Sequence, residues 1–249
     1  MNVIGVIPAR YASTRFPGKP LIDLCGKTML RRVIEAALRA ETLDEVLVAT
    51  DDGRIAREAE AAGATVAMPE GDFASGTDRI AAALNTSRSH ANIVVNIQGD
   101  EPLLASELID ILVRELIASD ADVTTPVTPI FSPEELSNSS VVKAILAANG
   151  RAMYFTRSAA PYIRGATPEH WPGRGLHFRH IGIYAYRRAA LDRFIQLPPS
   201  PTELAEQLEQ LRLLEDGAHY RCILTSAVSA AVDTPADADA VRQIHMRGG

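Results

Sequence analysis

The chain has 249 residues, 47% hydrophobic and 22% charged, with a formal net charge of −6. That length suits one large α/β domain that needs no disulfides to stay folded, and the acidic balance excludes a general nucleic-acid binder, which needs a basic surface. Cys25 and Cys222 fit no metal-ligand spacing and read as reduced thiols, no apolar run has the length of a membrane span, and Met1–Arg10 lacks a basic leader. A cytoplasmic protein working without membrane or nucleic acid is expected.

The first half alternates strand and helix. Val3 to Ile7 is a short apolar run closed by Pro8, as for a buried parallel strand. Met29 to Ala40 has helical spacing, Glu45 to Thr50 reads as a strand, and Arg54 to Ala62 as a helix with Gly63 at its C-terminal cap. Thr65 to Met68 is a short strand, Ser75 caps a helix to about Leu84, Ile93 to Ile97 is a buried strand, and Glu107 to Ala118 is helical. This pattern predicts a three-layer, doubly wound, mostly parallel sheet of the α/β class.

After Asp122 the pattern changes. Val123 to Thr128 and Val141 to Leu146 read as strands, Asn149-Gly150 as a hairpin turn, and Ala152 to Thr156 as the returning strand. A Pro/Gly-rich loop spans Pro161 to Gly175, and Ile181 to Tyr186 reads as one more strand. Helices from about Thr202 to Glu215 and from Pro235 to His245 follow, the second with Thr234 and Pro235 as its N-cap and first residue. The expectation is one domain over 1–249, with a β-rich sub-domain inserted at about 122–187 that covers an acceptor site and forms a subunit contact.

The loop after the first strand carries Arg10, Ser13, Thr14, Arg15, Gly18 and Lys19. Open α/β sheets hold ligands at the carboxyl ends of their strands, and cations with backbone N–H groups in one loop make a cradle for a triphosphate. The loop matches neither a dinucleotide fingerprint nor a P-loop. Gln98-Gly99-Asp100-Glu101-Pro102 follows another buried strand, where a carboxylate suits Mg²⁺. Asp233, before Thr234-Pro235, reads equally as a metal ligand or a helix cap, and Glu101 can be only a first-turn charge. Only three of the 25 basic residues are lysines, Lys19, Lys27 and Lys143. A GC-rich genome accounts for that, yet it singles out Lys19 and Lys143 as positions where arginine did not serve.

Six segments in order carry a family resemblance: Arg10 to Lys19, Ser75-Gly76-Thr77-Asp78-Arg79, Gln98 to Pro102, Arg179 to Tyr184, Leu208 to Arg212, and Val232 to Pro235. Together they closely resemble the CMP-KDO synthetases, the 3-deoxy-manno-octulosonate (KDO) cytidylyltransferases, over residues 2–243. The resemblance implies a nucleotidyltransferase fold and CMP transfer from CTP to an anionic acceptor, KDO first, with release of pyrophosphate. It implies that Arg10, Ser13, Arg15 and Lys19 hold the triphosphate and that Ser75, Gly76, Asp78 and Arg79 lie beside the cytosine. Asp100 and Asp233 become Mg²⁺ ligands, with Arg10, Arg15, Lys19 and Asp100 as the catalytic set. Gln98, Arg157, His180, Tyr184, Glu209 and Gln210 fall in the acceptor pocket, and a homodimer through the inserted region is implied.

The departures from the family lie on the acceptor side. Asn138-Ser139-Ser140 stands where most members have Asn-Pro-Asn, Ile163-Arg164-Gly165 where a loop ends in Arg-Asp, and Ala231 where glycine is usual. They keep an alternative open: CMP transfer to a small phosphonate such as phosphonoformate, in antibiotic biosynthesis, with Arg157, Arg164 and His180 holding the compact anion. A more remote reading is a non-catalytic nucleotide sensor.

Overall fold

The structure is a computed structural model that describes residues 1–12, 16–73, 75–226 and 231–247, without the Arg247 side chain. Ser13 and Arg15, both expected in the phosphate loop, lie outside the described residues. The chain divides into two compact units, residues 1–111 with 227–249 and residues 112–226. The insertion anticipated at 122–187 falls within the second.

In the first unit, β1 (Val3–Pro8), α1 (Met29–Leu38), β2 (Glu45–Ala49), α2 (Gly53–Ala61), β3 (Thr65–Ala67), α3 (Gly76–Thr86) and β4 (Ile93–Asn96) follow in order, and α4 (Ser106–Ala118) begins. The strands lie in the order β3-β2-β1-β4, all parallel. Val3, Ile4, Val6 and Ile7 of β1 and every residue of β4 are buried, as a parallel sheet covered on both faces requires. Thr28 caps α1 by accepting from the Arg31 amide, and the helix buries Met29, Leu30, Val33, Ile34, Ala36 and Ala37. Ser75 caps α3 as expected, accepting from the Asp78 amide at 3.1 Å.

The second unit holds β5 (Val123–Pro129), α5 (Pro133–Ser137), β6 (Lys143–Leu146), β7 (Ala152–Thr156), β8 (Phe178–His180), β9 (Tyr184–Arg187), α6 (Arg188–Gln196), α7 (Pro201–Glu206), α8 (Gln210–Glu215) and β10 (Tyr220–Leu224). Here β5 pairs antiparallel with β8 and β9 and parallel with β10, while β6 pairs antiparallel with β7 and β8. The chain then returns to the first unit with α9 (Pro235–Arg247), whose start Thr234 caps by accepting from the Asp237 amide.

Two expectations are corrected. Around the strand expected over Ile181 to Tyr186 there are two: β8 ends at His180, before that span, and β9 begins only at Tyr184, because the backbone leaves the β5 ladder between them. From Val127 to Thr124 β5 advances three residues, while its partner advances five from His180 to Ala185, so two extra residues bulge out. The helix expected over Thr202 to Glu215 is likewise two, broken where Gln207 takes a left-handed conformation at φ 52°. The segments α5, β8, α6 and β10 were not among the expected elements.

Candidate active site

Because β1 and β4 are adjacent and parallel, with Val6 level with Asn96, the loops that follow them leave at one edge of the sheet. Pro8 is where three of the motifs meet. A Cβ on Gly99 would stand 3.1 Å from the Pro8 carbonyl oxygen, so that position has no room for a side chain, and one on Gly76 would touch the Pro8 ring at 3.7 Å. Gly18, at φ +72°, turns the loop back against the Tyr11 ring, where a Cβ would sit at 3.1 Å. Arg10 is exposed at the end of β1.

Lys19 draws the two carboxylates together. Its Nζ donates to Asp100 Oδ2 at 2.8 Å and to Asp233 Oδ1 at 3.2 Å. Sequence distance is bridged by the main chain, the Val232 amide donating to the Asp100 carbonyl at 2.9 Å. Val232 itself is fully buried in a cluster with Leu24, Met29, Ala238 and Val241, so Asp233 is held by packing on one side and a backbone bond on the other. One ammonium between two carboxylates leaves a net negative charge at the point where they converge. Paired oxygen donors with excess negative charge suit a hard divalent cation such as Mg²⁺, and the ammonium already stands where a cation is needed. The Asp233 side chain faces Lys19, and it is the Thr234 hydroxyl that caps α9.

At the start of α3, Ser75 also donates from its hydroxyl to Asp78 Oδ2 at 2.9 Å. Arg79 is 8% exposed, donates to Asp51 Oδ2 at 2.8 Å and lies 5.0 Å from the Phe73 ring centroid. Its Nη1 is buried without a hydrogen-bond partner among the described residues. A buried orphan donor is uncommon in a folded protein and is the kind of group a nucleotide carbonyl completes.

In the first unit, Gln98 donates to Asn96 Oδ1 at 2.8 Å. The remaining residues expected to meet the acceptor lie in the second unit. His180 Nε2 is 2.8 Å from Thr125 Oγ1, which donates its own hydrogen to the Ile183 carbonyl at 2.8 Å. The hydroxyl therefore accepts from His180, which assigns the ring proton to Nε2. The His180 ring packs against Phe155 at 4.9 Å and Tyr184 at 5.3 Å. Burial raises the Tyr184 hydroxyl well above its usual range, with the neighbouring Tyr220 and the Glu209 carboxylate adding to it. Gln210 is buried and Arg164 is exposed. The Arg157 guanidinium donates to three main-chain carbonyls, Glu206 at 2.7 Å, Ser139 at 3.0 Å and Gln207 at 3.4 Å. Sequence reasoning missed Thr125 and Glu206, because a threonine in a strand and a glutamate at a helix end carry no signal of their own.

Burial pushes the His180 pKa down from 6.5 to about 3. The ring is therefore neutral at neutral pH. The sign for stability follows directly. Below pH 6.5 the unfolded chain takes up a proton that the folded chain refuses, so this contribution is complete above that pH and is lost as the pH falls. In urea unfolding, wild type is expected to lose about 1.4 kcal/mol more than His180→Gln between pH 7.5 and 5.5. Equal losses in the two proteins would show that His180 is protonated within the fold.

A cationic loop and a pair of carboxylates at the carboxyl edge of a parallel sheet define a nucleotidyltransferase-type α/β protein. More narrowly, the chain belongs to the cytidylyltransferase family, whose sequence model matches residues 4–222. It is 44% identical over 252 residues, all of both chains, to a 3-deoxy-manno-octulosonate cytidylyltransferase of Syntrophotalea carbinolica. A protein of that name from Geobacter sulfurreducens is 42% identical, over 97% of this chain and 98% of the other. Among solved structures, CMP:2-keto-3-deoxy-manno-octonic acid synthetase complexed with CTP superposes with a TM-score of 0.92 at 38% identity, over the full length of both chains. A cytidylyltransferase from Leptospira borgpetersenii, at 18% identity and TM-score 0.65 over 99% of this chain and 87% of the other, shares the fold.

Proposed function

We propose that this protein transfers CMP from CTP to KDO with release of pyrophosphate, using Mg²⁺. The observation that carries the reading is the convergence of Lys19, Asp100 and Asp233 at the sheet edge, in a chain whose full-length relatives are KDO cytidylyltransferases.

The acceptor hydroxyl oxygen attacks the α-phosphorus of CTP in line. The new P–O bond forms as the bond to the bridging oxygen breaks, and pyrophosphate leaves. Asp100 and Asp233 would hold Mg²⁺, which when bound neutralises phosphate charge and favours the ionised acceptor hydroxyl. Lys19, with its side chain 13% exposed, presents a charge little screened by water to the leaving pyrophosphate, and Arg10 and Arg15 belong to the same phosphate loop. Ser75, Gly76, Asp78 and Arg79 would take the cytosine. In the second unit, His180, Tyr184, Arg164, Glu209 and Gln210 would line the acceptor pocket. Neutral His180 supplies a hydrogen-bonding surface, and no covalent enzyme intermediate is needed.

The phosphonate alternative loses its support. The full-length relatives are KDO cytidylyltransferases, and of the three residues it enlists, Arg157 gives its guanidinium to main-chain carbonyls. The substitutions at Asn138-Ser139-Ser140 also leave the local turn closed, because Asn138 Oδ1 accepts from the Ser140 amide at 2.9 Å. Pyrophosphate release from CTP and Mg²⁺, with KDO and phosphonoformate side by side, tests the reading. Release with KDO alone is expected. Release with phosphonoformate alone would overturn the acceptor, and none with either would leave a nucleotide sensor.

We further propose a cytoplasmic location and, on the family resemblance, a homodimer formed through the inserted region at about 122–187, within the second unit. That unit carries Phe131 and Tyr162 at 73% and 74% exposure, and no helix among the described residues is long and apolar enough to cross a membrane. Light scattering should give twice the chain mass of 26.8 kDa. A single chain mass would remove the dimer.

A further inference from the structure

Lys143 has no place in the chemistry above, yet it is completely buried on β6. Its ammonium donates to three main-chain carbonyls, Asn138 at 2.9 Å, Val141 at 2.7 Å and Arg157 at 2.6 Å. Three N–H groups meet three oxygens, a match for a compact ammonium that a planar guanidinium cannot reproduce. That accounts for a lysine in a chain where arginine is otherwise the rule.

Arg157 repeats the pattern one step further on. Lys143 holds its carbonyl, and its own guanidinium takes the carbonyls of Ser139, Glu206 and Gln207. The Glu206 carboxylate answers by accepting from the Arg157 amide at 2.8 Å and the Thr156 hydroxyl at 2.6 Å. Two cations thus gather six carbonyls from three segments, 138–141, 157 and 206–207. Glu209 and Gln210 follow two and three residues after the left-handed Gln207.

We propose that Lys143 and Arg157 form one cationic clamp that fixes the 138–141 loop and the 206–207 turn, and through that turn positions Glu209 and Gln210 for the acceptor. This rests on the acceptor role proposed for Glu209 and Gln210. Lys143 is a positioning residue, since its buried ammonium cannot reach a ligand. The clamp engages only main-chain atoms, so the side chains at 139 and 140 vary without disturbing it.

The test compares wild type with Lys143→Met, Arg157→Ala and the double variant in two measurements. The first is hydrogen exchange of the ligand-free protein. Either single variant should speed exchange at 206–210 at least about tenfold, the order for one lost charge-assisted hydrogen bond, and leave β1 and β4 unchanged. The second is steady-state pyrophosphate release. The KM for KDO should rise at least about tenfold while that for CTP stays within about twofold, and the double variant should be no worse than the poorer single one. Lys143→Arg should not rescue. Unchanged exchange at 206–210, equal effects on both substrates, or additive losses would each overturn the clamp. If Lys143→Met does not fold, Arg157→Ala, altered at a half-buried side chain, decides on the same criteria. If wild type does not use KDO, the acceptor reading fails and the exchange data still decide the clamp.

Discussion

Asp100→Asn is expected to lower kcat by about two to three orders of magnitude, the range for removing one group that stabilises charge in the transition state. The amide keeps the volume and polarity of the carboxylate but removes the charge that draws a cation to Asp233. Stability should change little. The Asp100 side chain is 29% exposed, and Lys19 keeps its second partner, Asp233, at 3.2 Å. A partly exposed pair of this kind contributes about 0–1 kcal/mol, so the melting temperature should move by no more than about 4 °C. Pyrophosphate release and calorimetry on the same preparation check both halves. Near-normal turnover would remove Asp100 from the site, and a large melting shift would give it a structural role.

The largest stability effect is expected at Glu203 and Arg212. Arg212 donates from Nε and Nη2 to the two oxygens of Glu203 at 2.8 and 2.6 Å, with side chains only 7% and 9% exposed. The guanidinium also lies 4.3 Å from the Phe194 ring centroid, so the pair ties α6, α7 and α8 together. Removing one partner strands the other charge out of water, and Arg212→Met should cost about 3–5 kcal/mol in urea unfolding. Glu203→Leu with Arg212→Met should cost less than Arg212→Met alone, because neither charge is then stranded. It should not return to wild type, since the Glu203 carboxylate also accepts from the Ser200 amide at the start of α7. A double variant worse than Arg212→Met would mean that the two side chains act separately.

The parallel half of the fold was legible because its signals are local. Apolar runs, the Ser75 cap and the glycines after strands each speak within a few residues. The antiparallel half was less so. Ile181-Gly182-Ile183 continues the apolar pattern, yet Ile181 donates to the Pro126 carbonyl and Ile183 to that of Ile181, a bulge that periodicity cannot register. The break at Gln207 was equally hidden, since nothing in Gln207 itself announces a left-handed residue. In the site, Lys19 and Asp100 were readable as charges in segments that follow strands and Asp233 as a residue ahead of a helix, but that Lys19 bridges the two aspartates was not. The partners of Lys143 and Arg157 were out of reach altogether, because main-chain carbonyls leave no mark in a sequence.

The bond between the Val232 amide and the Asp100 carbonyl has a consequence for the order in which the protein matures. A ribosome delivers the chain from its amino end, at about 5–20 residues per second. Asp100 emerges early, and Asp233 emerges only after all of residues 112–226 have been made. A nascent chain can therefore hold both Lys19 and Asp100 while it still lacks Asp233. Chains released by stalling or cleavage before residue 233 would lack the second carboxylate and hold Lys19 against Asp100 alone.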